Sequence, residues 1–514
     1  MSLLDPPPLP LKSYAKSVIG LNLTPSSSDN GNFRNIIGLD ALRMMMQRSP
    51  GEVALPRVSA SPPTLTLSAA FAATAIASAI RHRMDNAGAF TYLGLPSAPR
   101  FDSGTDSYTS SNLYRNTTGS PFFIDFELET SDSTGRFEIM LSGTNAAIRV
   151  AVRNAGGVYE YASAGPSFKP PADGGTYRGL VTLGAAGTYR IRLECAASVK
   201  FQGIACLPTD TCRASTPPVY KIAFGGDSFT EPTVVDSTVT GFGGDGWVQK
   251  LSYMLGANCI SAGSGGTGYV NTNPGQSREA MFTRLDDLQK GGADIYAFAL
   301  GINDYGGSMD DISTNSLACF QAIRAAHPYA PIIVFSPFWK GANWSSGSRL
   351  IECSDRIKAS AAAVTGTVWV DFLQIHANNL PAAGVLSASS AVSASTISSS
   401  IPIPRGMCFR IGGATNAELR RSIFSTGFGP YTIGFNGTDY AGGGGGLSNA
   451  HAAGEAILPV GPGIYTGNGN QGSLQGNGNA DRYTGSDNTH PTVAGHLNIA
   501  VCAYRELRIA LGVK

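Results

Sequence analysis

The sequence predicts a multidomain chain: an N-terminal assembly segment, a β-sandwich, then an α/β/α domain on a parallel sheet with a large Gly/Ser-rich insertion. Three observations predict it. Apolar residues alternate with polar ones at period two through much of 98–215, the mark of strands with one buried face. From 219 to about 375, short apolar runs alternate with helical patterns, which implies a parallel sheet covered on both faces. From 376 to 484 that rhythm stops and Gly, Ser and Asn take over.

Composition sets the outer limits. The 514 residues are 42% hydrophobic and 14% charged, with a net charge of +1. A chain of that length holds two to four domains. Its near-neutral charge gives no basic field for nucleic acid and no acidic solvating tail. The eight cysteines form no Cys-x-x-Cys pair, so a metal cluster is not expected. Cys206 and Cys212 are close enough in sequence to bridge a small loop, and buried free thiols are the other reading.

Residues 1–97 form the first unit. Met1-Ser-Leu-Leu-Asp lacks the basic and apolar regions of a secretory signal. Residues 1–62 are Pro-rich at both ends, with one helical patch at Leu39–Gln47. Its Met44-Met45-Met46 run reads as packing. With so little periodic apolar character, the segment is expected to be held by partner chains. Thr64 to Ile80 is Ala-rich and short of a membrane span. It reads as a buried or oligomer-packing helix.

Residues 98–215 form the second unit. Phe122, Ile124, Phe126 and Leu128 alternate with Asp125, Glu127 and Glu129. Ile148, Val150 and Val152 alternate with Arg149 and Arg153, and Tyr189, Ile191 and Leu193 with Arg190, Arg192 and Glu194. The pattern implies sheets with one wet face each. Tyr108, Tyr114, Tyr159 and Tyr161 are either ordinary strand residues or platforms for sugar rings.

Residues 219–514 form the third unit. Strands are expected at 219–224, 258–262, 295–300, 331–336 and 367–371. Helices are expected near 246–255, 279–289, 311–326 and 349–364. Active sites in such sheets lie at the carboxyl ends of the strands. Four blocks fall at strand-to-loop junctions or before the last helix. The first is Gly226-Asp227-Ser228, where glycines turn the chain and leave a serine at the sheet edge. Gly266 follows, in Gly263-Ser-Gly-Gly-Thr-Gly268. The third is Gly301-Ile-Asn303-Asp304. The last is Asp487-Asn-Thr-His490-Pro491, with Pro491 suited to a first helical position. Asp227 and Asp304 are expected to orient loops, and His496 to pack in the final helix. The insertion 376–484 is expected to hold strands around Met407–Ile411 and Tyr431–Phe435, and to shape a groove or contact a neighbour.

Together these blocks resemble the SGNH (GDSL-like) hydrolase family, over roughly residues 219–375 and 484–514. The resemblance implies serine-ester hydrolysis without a metal. Ser228 would be the nucleophile, His490 the base and Asp487 its orienter. The oxyanion hole would be the N–H groups of Ser228 and Gly266 and the side-chain amide of Asn303. Phe229 stands where the motif has Leu, and Ser261 where many members have Asn. A carbohydrate-binding-like β-sandwich leading into such a domain resembles the layout of some carbohydrate esterases in this family. With no secretory signal, a Pro-rich N-terminal segment and a Gly/Asn/Ser-rich body, the chain resembles polysaccharide O-acetylesterases carried on bacteriophage tail fibres or tailspikes. The expected substrate is therefore an O-acetylated capsule or O-antigen. The expected setting is a virion tail, as a homotrimer among other tail proteins. The alternatives are a secreted, non-viral acetylesterase or lipase, and a structural or receptor-binding tail protein that uses the fold to hold sugar.

Overall fold

The computed structural model describes residues 30–513 apart from 59–60, 87, 97–98, 110–120, 154–156, 163–167, 232–243, 339–346, 372–382, 404–407, 414–415, 417, 423, 428, 435–445, 448, 460–484, 486 and 488. Tyr114 and residues 460–484 of the insertion lie outside the described residues.

Five parallel strands form the sheet that carries the site. In spatial order they are Asn258–Gly263, Lys221–Gly226, Ile295–Ala299, Ile332–Phe335 and Thr367–Val370. Their side chains are apolar on both faces. Ile222, Phe224, Ala297, Ile333 and Phe335 pack under helices Trp247–Leu255 and Val493–Ala510. Ala223, Tyr296, Phe298, Ile332 and Val334 pack on the other side, against Met309–Ala326 and Gly347–Ala362. The expected helix at 279–289 is a 3-10 turn, Met281–Arg284, followed by the short helix Leu285–Gln289. In chain order the first strand, Lys221–Gly226, pairs with the second, Asn258–Gly263, on one side and the third, Ile295–Ala299, on the other. The crevice between the first and third is where such sheets bind ligands.

A sheet-rich region precedes this domain. Its two antiparallel sheets have seven and six strands. Phe122, Ile124, Phe126 and Leu128 of one sheet meet Phe137, Ile139 and Leu141 of the other in a shared core. The expectation of a wet face on each sheet is not met. Asp125 and Glu194 are fully buried and Arg192 nearly so. Arg192 binds Asp125 at two points, 2.7 and 2.8 Å. Its guanidinium also lies 4.5 Å from the ring centre of Tyr253, on helix Trp247–Leu255. The helix of the next domain covers this polar face, and the charges are paired off beneath it. Tyr159 and Tyr161 belong to the same seam: Tyr159 packs edge-on to Tyr253, and the Arg149 guanidinium lies over Tyr161. Both rings are engaged in that seam.

Two expectations for residues 1–97 are corrected. Thr64–Ile80 is not a helix. Thr64–Leu67 is a strand paired with Thr176–Thr182, and Ile80–Arg83 is a strand paired with Lys200–Cys206. Ala-rich composition favours helix, but the Thr64-Leu-Thr-Leu67 alternation fits a sheet edge, and pairing decides. Strand Thr91–Leu93 also joins these sheets. Nor does the helical patch wait for a partner chain. Helix Asn30–Arg48 buries Leu42, Met45 and Met46 in the core of the parallel-sheet domain. Arg43 donates to the carbonyl of Leu511, and Arg508 to that of Met46, so the helix is tied to the last one.

The described part of the insertion holds strands at Cys408–Ile411 and Tyr431–Gly434, in two small antiparallel sheets around a core of its own. Seven cysteines are free and buried. Cys206 and Cys212 sit on strands of opposite sheets and form no bridge. Among the described residues no helix is long and apolar enough to cross a membrane, and no cluster of His, Cys, Asp and Glu could hold a metal ion.

Candidate active site

Strand Lys221–Gly226 ends in a tight turn held by its own aspartate. Asp227 is fully buried, and its Oδ1 accepts from the Phe229 N–H at 2.9 Å. Its carbonyl accepts from the N–H of Thr230 (3.1 Å) and of Glu231 (2.9 Å). Ser261 donates its hydroxyl to the Thr230 carbonyl, tying the turn to the neighbouring strand. Ser228 is left half-buried at the crest. Burial pushes the Asp227 carboxyl up to about 7 against the hydrogen bond from Phe229, and the nearby Asp304 adds to the rise.

His490 reaches the same place from the other end of the chain. Its ring centre lies 5.9 Å from that of Phe229, the residue after Ser228. Phe229 stacks on Phe338 at 5.0 Å, and Trp247 closes on Phe338 from the side. The imidazole Nδ1 is 2.5 Å from Asp487 Oδ2, and Asp487 Oδ1 accepts from the N–H groups of Thr489 and His490 at 3.0 Å each. Burial pushes the Asp487 carboxyl upward, but these hydrogen bonds outweigh it and hold the group below its ordinary range. With Nδ1 engaged, Nε2 is the nitrogen left to exchange a proton. Pro491 is not the first helical position, since the helix begins at Val493 and Thr492 caps it by accepting from the Gly495 N–H. His496 is packed inside that helix.

Two further blocks sit beside the serine. Gly266 has φ of +74°, a conformation glycine takes without strain. Gly265 lies close to the serine: a Cβ there would be 3.4 Å from Ser228 Cβ. The two glycines differ in what they offer. The Gly265 N–H is taken by Glu231 Oε2 at 2.7 Å. Gly266 donates to no acceptor among the described residues. Asn303 follows strand Ile295–Ala299, and its Nδ2 donates one hydrogen to the Thr267 carbonyl at 2.9 Å. The amide has a second hydrogen. Asp304 accepts from the N–H groups of Tyr269, Val270 and Asn271 at 2.8, 3.1 and 2.8 Å. It binds the loop that follows Gly266.

Sequence reasoning missed the supports beneath these loops. Arg284 is buried and donates to the carbonyls of Ala262 (2.8 Å) and Gly226 (2.7 Å), which joins the ends of two strands. Glu231 and Arg278 form an ion pair beside Gly265. A lone Arg or Glu in a loop carries no sequence signal, and these partners are distant in the chain. The Ser228 hydroxyl makes no hydrogen bond among the described residues. Without substrate, a nucleophile and its base are often out of hydrogen-bond contact.

A serine on a tight turn, an imidazole clasped by a carboxylate and an uncommitted N–H meet at the carboxyl edge of a parallel sheet. Those are the parts that serine-nucleophile ester chemistry requires. Residues 224–389 match the GDSL-like lipase/acylhydrolase family. The chain therefore carries a GDSL-like lipase/acylhydrolase domain and is a carboxylic ester hydrolase. No curated protein matches the chain. Among solved structures it is similar to a family two carbohydrate esterase from Cellvibrio japonicus, at 15% identity and a TM-score of 0.42, over 57% of this chain and 88% of that one. A family two carbohydrate esterase from Clostridium thermocellum gives 16%, 0.41, 55% and 88%. A salicylyl-acyltransferase from a tetracycline biosynthetic pathway gives 15%, 0.43, 60% and 88%. Likenesses at this level assign no functional residue.

Proposed function

We propose that the protein is a serine esterase that removes O-acetyl groups from a polysaccharide. The observation that carries this reading is the meeting of the Ser228 turn, the Asp487-held imidazole of His490 and the Gly266 N–H at one sheet edge. Ser228 Oγ attacks the ester carbonyl while His490 Nε2 takes its proton. The negative charge on the carbonyl oxygen is met by the N–H groups of Ser228 and Gly266 and the Asn303 amide. Collapse of the tetrahedral species breaks the bond to the sugar oxygen, which receives the proton back from His490. Water, deprotonated by the same imidazole, then cleaves the acetyl-serine and releases acetate. Asp487 keeps the imidazole in the right tautomer and stabilises its charged form.

A short acyl group is favoured by what stands behind the serine. Phe229, the residue after Ser228, stacks on Phe338, and Trp247 packs edge-on to Phe338, all three buried. We read the two antiparallel sheets as a β-sandwich that adjoins the catalytic domain and serves the sugar side of the substrate. The setting we propose is a homotrimeric component of a virion tail, on the strength of the Gly/Ser/Asn-rich composition. A monomeric mass in light scattering would overturn the trimer.

The reading is tested with aryl esters of increasing chain length. Acetyl ester should be cleaved fastest, and Ser228→Ala should abolish the activity. Faster cleavage of long-chain esters would turn the reading to a lipase.

A further inference from the structure

The Gly265–Gly266 peptide is gripped from one side. Its carbonyl, on Gly265, accepts from Arg278 Nη1 at 3.1 Å and more weakly from Asn273 Nδ2 at 3.4 Å. The preceding N–H, also on Gly265, donates to Glu231 Oε2. Glu231 and Arg278 pair at two points, 2.7 and 3.0 Å, with side chains only 14% and 11% exposed. The fit depends on glycine. A Cβ at 265 would lie 2.5 Å from Arg278 Nη1 and 2.7 Å from Glu231 Oε2.

The consequence follows from peptide geometry. In a trans peptide the N–H points opposite to the C=O of the same unit. Holding the Gly265 carbonyl against Arg278 therefore turns the Gly266 N–H away from the ion pair and fixes its direction. A cation on the carbonyl also draws electron density through the peptide and makes its N–H a stronger donor. Glu231 belongs to the nucleophile's own turn, since its N–H donates to the Asp227 carbonyl. One ion pair thus locks the serine turn and the glycine loop in a single register.

We propose that Glu231 and Arg278 are positioning residues for acyl transfer, setting the direction and donor strength of the Gly266 N–H. This rests on the esterase reading above. Neither residue touches the reacting atoms. They act through a group that matters only when the oxyanion forms, so their loss is felt in kcat rather than in KM.

The test is steady-state hydrolysis of p-nitrophenyl acetate by the full chain, with Tm measured alongside. Arg278→Gln and Glu231→Gln should lower kcat about ten- to hundredfold, somewhat less than removal of a donor outright. KM should stay within about twofold. Arg278→Lys restores a cation near the carbonyl and should recover part of the loss without the two-point pair. A purely structural ion pair predicts something else: losses in Lys and Gln variants alike that track a fall in Tm, or no loss at all. Either overturns the proposal. Activity abolished by Ser228→Ala but intact in Arg278→Gln sinks the positioning role alone. Activity that survives Ser228→Ala sinks the esterase reading and the proposal with it.

Discussion

Glu194 is the residue whose removal should do most damage outside the site. It is fully buried on strand Gly187–Cys195, at the seam between the sheet-rich region and helix Trp247–Leu255. Its carboxylate accepts from Arg149 Nε at 2.6 Å, from the Tyr253 hydroxyl at 2.7 Å and from the Tyr161 hydroxyl at 3.3 Å. In Glu194→Ala the Tyr253 hydroxyl loses its acceptor in a buried place, which costs about 1–3 kcal/mol. Arg149 is not orphaned, because Asp245 still accepts from its Nη2 at 2.9 Å. Breaking a buried charged pair costs roughly 3–5 kcal/mol, and the retained Asp245 contact argues for the lower part of that range. A total of about 5 kcal/mol corresponds to a Tm drop on the order of 10–20 °C for a domain of this size. Scanning calorimetry on wild type and variant reads it directly. Glu194→Gln, which keeps an acceptor for Tyr253, should cost less than Glu194→Ala. A Tm within about 2 °C of wild type for Glu194→Ala would refute the view that this seam is held by its buried charges.

Three further outcomes are expected. Asp487→Asn should reduce kcat roughly 10³- to 10⁴-fold with little change in Tm, because the amide favours the wrong tautomer of His490; an equal fall in Tm would point to a structural role. Asn303→Ala should cost about a hundredfold in kcat, and a change confined to KM would exclude it from the oxyanion hole. Asp227 sets a pH slope. Its folded pKa, about 7, lies above that of an ordinary carboxyl, so between about pH 4 and 7 the folded state binds a proton the unfolded chain has released. Stability from this group is full below the unfolded value and falls as pH rises through the folded one. Asp227→Asn should flatten the unfolding free energy, read from urea melts, between pH 4.5 and 7.5, by a difference of roughly 3 kcal/mol. Parallel profiles for the two proteins would contradict the assignment.

The parallel sheet was legible because strands buried on both faces read as apolar runs, and its site blocks fall at the strand ends. Other parts were legible only in half. Alternation around Asp125, Arg192 and Glu194 tells that the two faces differ, but not that the polar face meets water. Here a helix covers it and the charges neutralise one another. Leu42, Met45 and Met46 announce packing without naming a partner, and the partner is the last helix, more than 450 residues away in sequence. The bracket of Glu231 and Arg278 was beyond sequence reasoning for the same reason. Their separation of 47 residues has no periodic signature, and only the folded loops bring them to Gly265.

The esterase mechanism is tested most directly by acetate release from an O-acetylated bacterial polysaccharide, comparing wild type, Ser228→Ala and His490→Ala. Wild type should release acetate, and neither variant should release any above background. Acetate released equally by all three would contradict the nucleophile and base assigned here. No release by wild type, with p-nitrophenyl acetate still cleaved, would contradict the polysaccharide substrate.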